Sequence, residues 1–446
     1  MSIKEGDKLK LMNGNSITLL KKLGSGGQGI VWRVEYPGQG EFALKWYKPA
    51  YLKGLDDKHK NGRRDFKDNI EKNITKGSPN DKFLWPIALT EDKDDSFGYI
   101  MKLRPPEYED FTYIYNTKDD KGRPIKFNNF RASVESAIGI VNAFRALHNK
   151  GYFYLDLNDG NFFINTENGD VLVCDNDNVT AIPKYSIGKP GYIAPELLTD
   201  PSKKSSDLTD NHSLGVVLFR LFIRHDPMMG KKFCESVVMT ASKEKELYAD
   251  NPVFIFDPND DSNRPVQNVH TNPIKLWPQY PDYLHQAFIK TFSEGMKDPN
   301  KRLHDKAWLK ILYRLRDDIL LCPCGNPTDI TWFDKTKSVV CQKCKMNAGI
   351  PCHIEINGFR INLYPGNKII STHINEDFSK QEPYAHVIQN KQDPTKWGLE
   401  NQSNDVWFVK KTDGQTLTKG KGSVISIVPG TEIELSGGKK LIIKDK

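Results

Sequence analysis

An α+β architecture, followed by a small metal-bound module and an all-β domain, is what this 446-residue sequence predicts. Three observations carry the expectation. Glycine-punctuated strands of period 2 open the chain and lead to a long apolar helix of period 3.6. Five of the seven cysteines crowd between Cys322 and Cys352. Short alternating segments divided by Pro-Gly and Gly-Gly turns fill the remainder. The length exceeds what one hydrophobic core supports, so one large domain and one or two small ones are expected.

The totals narrow the function classes. Hydrophobic residues at 38% and charged residues at 27% support packed cores over disorder. The net charge of +7 is a small surplus of 64 basic over 57 acidic residues, which does not predict a nucleic-acid binder. The first residues lack an apolar signal core, and the longest greasy stretch, Leu214 to Ile223, is broken by Arg220. Neither export nor membrane insertion is expected from that pattern, and a cytoplasmic location is. Cys174 and Cys234 stand apart from the cluster and read as ordinary buried thiols.

Leu23-Gly24-Ser25-Gly26-Gly27-Gln28-Gly29-Ile30-Val31 places glycines where backbone amides can approach phosphate closely. The same letters also open dinucleotide-binding folds, but there a helix must follow. Here Ile30 to Tyr36 alternate as a strand, Pro37 to Gly40 turn, and a second strand from Glu41 to Tyr47 puts Ala43 and Lys45 on one face. Loop, turn and lysine together resemble the nucleotide lobe of protein kinases. The resemblance implies that Gly24, Gly26 and Gly29 cover the phosphates of ATP, Val31 and Ala43 sandwich adenine, and Lys45 holds the α and β phosphates. It also implies a helix glutamate paired with Lys45. Glu71, in a helical stretch from Arg64 to Lys76, is the candidate, with Asp65 and Asp68 competing. The strand Phe97 to Arg104 would be the hinge, Met101 the gatekeeper, and the Lys102 and Arg104 backbones the adenine contacts.

Val134, Ala137, Ile138, Val141, Phe144 and Leu147 recur at helical spacing, closed by Gly151. Then come Tyr154-Leu155-Asp156-Leu157-Asn158-Asp159-Gly160-Asn161, a hairpin at Asn168-Gly169, and Asp175. These could be turn residues alone. Their spacing also resembles the kinase catalytic loop and metal segment. That likeness implies Asp156 as proton acceptor for the attacking hydroxyl, with Asn161 and Asp175 as hard ligands to Mg²⁺ or Mn²⁺. Ala194-Pro195-Glu196 is similar to the close of the family's activation segment, Asp210 to its catalytic-loop brace, and Arg302 to the arginine that pairs with Glu196. The resemblance spans about residues 15 to 318, and by family prior the acceptor is Ser or Thr on a protein substrate.

Three departures qualify it. Leu155 replaces the arginine of His-Arg-Asp, Asn158 the catalytic-loop lysine, and Asn176 the aromatic of Asp-Phe-Gly. Lys189 stands where Ser/Thr kinases place a threonine, suggesting that it returns the missing ammonium to the γ-phosphate from the opposite side; a solvated loop lysine is the competing reading. The alternative function is a pseudokinase scaffold that binds nucleotide without efficient transfer.

Cys322, Cys324, Cys341 and Cys344 form two pairs that resemble a zinc ribbon, with Cys352 or His353 able to displace one ligand; four thiolates imply structural Zn²⁺. The segments Phe359 to Leu363, Lys368 to Ile370, Trp407 to Val409, Ser423 to Val428, Glu432 to Leu435 and Lys440 to Ile443 predict a β-sandwich. It is distantly similar to forkhead-associated domains, except that Asn367 and Pro383 stand where that family has its phosphate-reading arginine and a serine. A plain protein-interaction sandwich is the expectation. The expected division is a kinase N-lobe at 1–104, a C-lobe at 105–320, a zinc ribbon at 321–353 and a sandwich at 354–446. The module order also resembles bacterial kinases encoded beside metal-dependent phosphatases and von Willebrand A-like proteins, which implies such partners.

Overall fold

The computed structural model describes residues 3–58, 60–119, 121–184, 188–236, 238–319, 324, 340–341, 343–345, 349–378 and 381–445. Its first layer is a sheet of β1 (Lys8–Lys10), β2 (Ser16–Ser25), β3 (Gly29–Tyr36), β4 (Gly40–Tyr47), β5 (Ala88–Leu89) and β6 (Gly98–Lys102), in the order β1-β2-β3-β4-β6-β5. Alternation builds it: on β3, Trp32, Val34 and Tyr36 are buried while Glu35 is exposed. The antiparallel registers set Val31 against Lys45, Ala43 against Met101 and Lys45 against Tyr99. Two helices, α1 (Pro49–Lys58) and α2 (Gly62–Lys76), connect β4 to β5, and α2 buries Ile70 and Asn73.

The second region is mostly helical. After β7 (Glu109–Asp110), Asn129 accepts from the Ala132 N–H at 2.9 Å and starts α3 (Phe130–Asn149). Gly151, at φ 67°, ends it in the left-handed turn the sequence predicts. Four short strands follow: β8 (Phe153–Tyr154), β9 (Phe162–Ile164), β10 (Val171–Val173) and β11 (Val179–Thr180), with β9 pairing β10 and β8 pairing β11. Then come α4 (Pro195–Thr199) and α5 (Asp207–Ile223), whose residues from Thr209 to Phe219 are all buried. Shorter helices α6 (Lys231–Cys234), α7 (Ala241–Lys245), α8 (Thr271–Leu276), α9 (Asp282–Ile289) and α10 (Gly295–Lys297) lead to α11 (Asp305–Asp317).

The last region is β-rich. One sheet holds β12 (His353–Ile356), β13 (Phe359–Asn362), β17 (Trp407–Lys410), β18 (Thr416–Lys419), β20 (Glu432–Leu435) and β21 (Lys440–Lys444), in the order β13-β12-β21-β20-β17-β18. The other holds β14 (Lys368–Ile370), β15 (Pro383–Gln389), β16 (Trp397–Asn401) and β19 (Val424–Ser426), in sequence order. A short helix, α12 (Ser371–Asn375), follows β14 directly and is not expected from the alternation.

This β-rich region is not tethered loosely. Tyr313 of α11 packs on Phe359 and Phe378, with ring centroids 6.1 Å away in each case. Asn362 donates to Asp318 Oδ1 at 2.9 Å and Asn367 to the Asp317 carbonyl at 3.3 Å. Asp317 itself lies 3.0 Å from Arg316 Nε and 3.2 Å from His373 Nε2. Burial alone would push Asp317 up; Arg316 and His373 overcome it and hold the carboxyl below the usual range. One buried apolar core runs from α3 and α5 through α11 into both C-terminal sheets, whereas the first sheet has separate clusters on its two faces.

Candidate active site

Three loops and two strands converge between the first sheet and the helical region. Gly29 is fixed by packing, because a Cβ there would sit 2.4 Å from the Trp46 carbonyl oxygen. At Gly24 and Gly26 a Cβ would meet nothing within 4 Å, so the flap is open where those side chains would point. Lys45, only 5% exposed, points from β4 into the cleft, where its Nζ meets Asp177 Oδ2 at 2.9 Å, Asp175 Oδ1 at 3.4 Å and Gln28 Oε1 at 2.8 Å. Burial alone would lower the ammonium's proton affinity, but Asp177 and then Asp175 hold it above the usual lysine range.

Asp156, Asn158 and Asn161 lie on the loop after β8. Asn158 Nδ2 donates to Asp156 Oδ1 at 3.0 Å, and Asn161 Oδ1 accepts from the Asn158 N–H at 2.8 Å, which closes the loop on itself. Lys189, exposed on the opposing segment, places Nζ 3.5 Å from Asn158 Oδ1. Burial raises Asp156 to about 6, against the pull of Asn158 and Lys189, and Asp175 adds to the rise. Lys45 reaches Asp175 at 3.4 Å, the Asn161 carbonyl accepts from the Cys174 N–H at 2.9 Å and Lys189 reaches Asn158, so the loop carrying Asp156, the segment carrying Asp175 and the two lysines border one cleft.

Two braces hold that loop. Asp210 accepts from the Tyr154 N–H at 2.9 Å and lies 3.2 Å from His148 Nε2, whose Nδ1 is 2.9 Å from Asp305. Burial opposes a charge on His148, yet the two carboxylates raise it to about 10. Tyr154, in the place of the family histidine, donates its hydroxyl to the Cys174 carbonyl at 2.5 Å and so ties the loop to the segment carrying Asp175. Farther out, Arg302 grips Glu196 with two hydrogen bonds of 2.7 Å, as the sequence suggests.

The donor set suits a hard divalent cation. Asp175 holds a left-handed backbone (φ 53°) and keeps its carboxylate 44% exposed to the cleft. Asn161 is buried and one lone pair of its amide oxygen is already engaged by Asn158, leaving the other for a cation. Val31, Ala43 and Met101 share one apolar cluster with Leu172, Cys174 and half-buried Phe163, a side chain that motif spacing does not single out. Lys102 and Arg104 are exposed at the end of β6, and Arg104 stacks its guanidinium 4.6 Å from the Phe163 ring.

One expected residue is elsewhere. Glu71 is exposed on α2, and the structure does not bring it to Lys45. The helix turns Ile70 and Asn73 inward instead, and position 71 lies about 100° around the helix from Ile70. Asp65 is not a substitute: Lys45's carboxylate partners among the described residues are Asp175 and Asp177. Asp68 pairs with Arg64 on the exposed face.

The cysteine cluster is separate. Sulfurs of Cys324, Cys341 and Cys344 lie within 4.8 Å of one another, and Cys324 to Cys341 is 3.7 Å. Tetrahedral zinc with thiolates at about 2.3 Å requires sulfurs about 3.8 Å apart, so the trio fits that ion. Cys322 lies outside the described residues. Cys352 and His353 are not in the cluster; Cys352 packs on the main core and His353 opens β12.

The family model described as Protein kinase domain matches residues 113–309, so the chain carries a protein kinase domain. The Rho-associated protein kinase let-502 of Caenorhabditis briggsae is 26% identical over 125 residues, which are 26% of this chain and 10% of that protein. This chain thus spans about a tenth of that relative's length. The crystal structure of the Mycobacterium tuberculosis PknI kinase domain, a double mutant, aligns with a TM-score of 0.46 at 16% identity, covering 71% of this chain and all of that one. Among the described residues no helix is long and apolar enough to cross a membrane.

Proposed function

We propose that the protein transfers the γ-phosphoryl group of MgATP to a Ser or Thr hydroxyl of a protein substrate. The observation that carries this is the convergence of Lys45, Asp156, Asn161 and Asp175 between a glycine flap and a braced loop. Lys45 would hold the α and β phosphates, Val31, Ala43, Met101 and Phe163 would enclose adenine, and the Lys102 and Arg104 backbones would meet its edge. Asp156 would orient the acceptor hydroxyl and take its proton. Mg²⁺ or Mn²⁺ on Asp175 and Asn161 would neutralise charge on the transferring phosphates. Intact-mass spectrometry after incubation with MgATP and candidate proteins tests the reading: 80 Da additions on an acceptor, abolished by EDTA, are the expected outcome, where 80 Da is about the mass of one transferred phosphoryl group. Nucleotide binding with no addition on any protein would leave the scaffold reading in its place.

Lys189 faces the same space from the activation segment, and Asn158 beside it lacks the charge that a lysine would bring. On this reading Lys189→Ala lowers the turnover number about tenfold and leaves the Michaelis constant for ATP nearly unchanged. A turnover number equal to wild type removes Lys189 from the chemistry.

The division proposed for the chain is a kinase N-lobe to residue 104, a C-lobe to 320, a zinc ribbon to 353 and an interaction sandwich of forkhead-associated-like form thereafter. Thiols gathered for a metal suit a reducing, cytoplasmic setting. The three gathered sulfurs support structural Zn²⁺ on Cys324, Cys341 and Cys344 with Cys322 as fourth ligand. Elemental analysis should find one zinc per chain, and Cys341→Ser should reduce it to below about 0.2; undiminished zinc in that variant would place the ion elsewhere. Phosphatase and von Willebrand A-like partners rest on the module order alone.

A further inference from the structure

A buried ammonium needs a fixed counter-charge, and the helix beside Lys45 does not provide it. The inward face of α2 carries amides: Asn69 and Asn73 each donate to the Val179 carbonyl at 2.8 Å. The carboxylate comes from the segment after β10. Asp177 has a wholly buried side chain whose Oδ2 and Oδ1 lie 2.9 and 3.1 Å from Lys45 Nζ. Tyr47 donates its hydroxyl to Oδ2 at 2.6 Å and Tyr99 to Oδ1 at 3.4 Å. Between the two aspartates, buried Asn176 donates to the Leu84 and Val173 carbonyls at 3.0 and 2.9 Å, pinning the segment to backbone on both sides.

We infer that Asp177 is the positioning residue for Lys45, in place of a helix-borne glutamate, so that the ammonium is aimed by the same three-residue segment that presents Asp175 to the cleft. The inference rests on the kinase reading above. Asp177 is not a further metal ligand: its oxygens are enclosed by one ammonium and two phenols, while Asp175 alone of the pair faces solvent. The labour is divided along the segment, with Asp175 facing the cation, Asn176 locking the backbone and Asp177 holding the lysine. Outward movement of α2 would leave the Lys45 pair intact, because no α2 carboxylate takes part in it. Gln28 Oε1, which also accepts from Lys45, sits on the glycine flap and is the contact that a nucleotide phosphate would replace.

The test uses the full chain and compares wild type, Asp177→Asn and Glu71→Gln. Three quantities are measured: affinity for MgATP, affinity for adenosine, and transfer from labelled ATP. Adenosine has no phosphate for Lys45 to hold, so it reports the integrity of the cleft. Asp177→Asn should weaken MgATP about tenfold and lower turnover about 100-fold, with adenosine bound as in wild type. Glu71→Gln should match wild type in all three. The inference is overturned if Asp177→Asn stays within threefold of wild type for MgATP and turnover, or if Glu71→Gln shows the losses instead. Should Asp177→Asn lose adenosine as well, Tyr47→Phe carries the test, since it removes only one donor to Asp177. Turnover about fivefold down with adenosine unchanged then supports the inference, and unchanged turnover overturns it. A wild-type protein that transfers nothing sinks the kinase reading instead, and the contrast between MgATP and adenosine still decides what aims Lys45.

Discussion

Asp156→Asn is expected to lower the turnover number about 1,000-fold while MgATP affinity stays within about threefold. The substitution keeps shape and the hydrogen bond from Asn158 Nδ2 in reach, but removes the group able to accept the hydroxyl proton. Phosphate binding should survive, because Lys45, Asp175 and the glycine flap are untouched. The wild-type pH profile offers a second check. Burial raises Asp156 to about 6, so its carboxylate is lost as pH falls through that value and transfer should decline along an acid limb centred near pH 6. Lys189 favours the charged form, so removing that cation should move the limb to higher pH. A turnover number within tenfold of wild type in Asp156→Asn would deny Asp156 the proton-accepting role.

The second large effect concerns stability. Glu196→Ala should destabilise the protein by roughly 3 kcal/mol, because it strands a guanidinium that is itself fully enclosed. Arg302 would retain its bonds to the Gly295 and Leu208 carbonyls, at 2.8 and 3.0 Å, but these neutral acceptors cannot replace a bidentate carboxylate. Arg302→Met in the Glu196→Ala background removes the stranded, fully enclosed guanidinium, so it should recover part of the loss. Thermal unfolding of the wild type and the two variants measures this. Equal midpoints for wild type and Glu196→Ala would mean that the pair contributes nothing net.

Much of the architecture can be read directly from residue order. Period-2 alternation marks β3, helical spacing marks α3, and alternation beside Pro-Gly and Gly-Gly turns marks β20 and β21, because in each the pattern of burial is written in side-chain polarity; β4 is buried without a break from Ala43 to Tyr47 and carries no such alternation. Lys45, Asp156, Asn161 and Asp175 are singled out for a different reason, the resemblance of their motifs and spacing to those of protein kinases. The partner of Lys45 is not, since family likeness points to α2. A signal is nonetheless present. Lys45 and Tyr47 share a strand face and Tyr99 sits opposite Lys45 in register, so three buried donors face one point and require an acceptor. The phase of α2 points the same way, for Phe66, Ile70 and Asn73 follow the helical repeat and Glu71 departs from it. Contacts between α11 and the C-terminal sheets carry no local pattern, because Asn362 and Asn367 read as turn polarity until their partners are in place.

The shared core beneath α11 means that the C-terminal sheets and the catalytic body behave as a single folding unit with one adjoining lobe, not as separable beads. A chain cut after Asp318 would expose the Tyr313 ring and leave Asp317 and Asp318 without Asn362, Asn367 and His373. The far sheets, α11 and α3 therefore share one close-packed interior, in which a volume change on one side is felt by its neighbours.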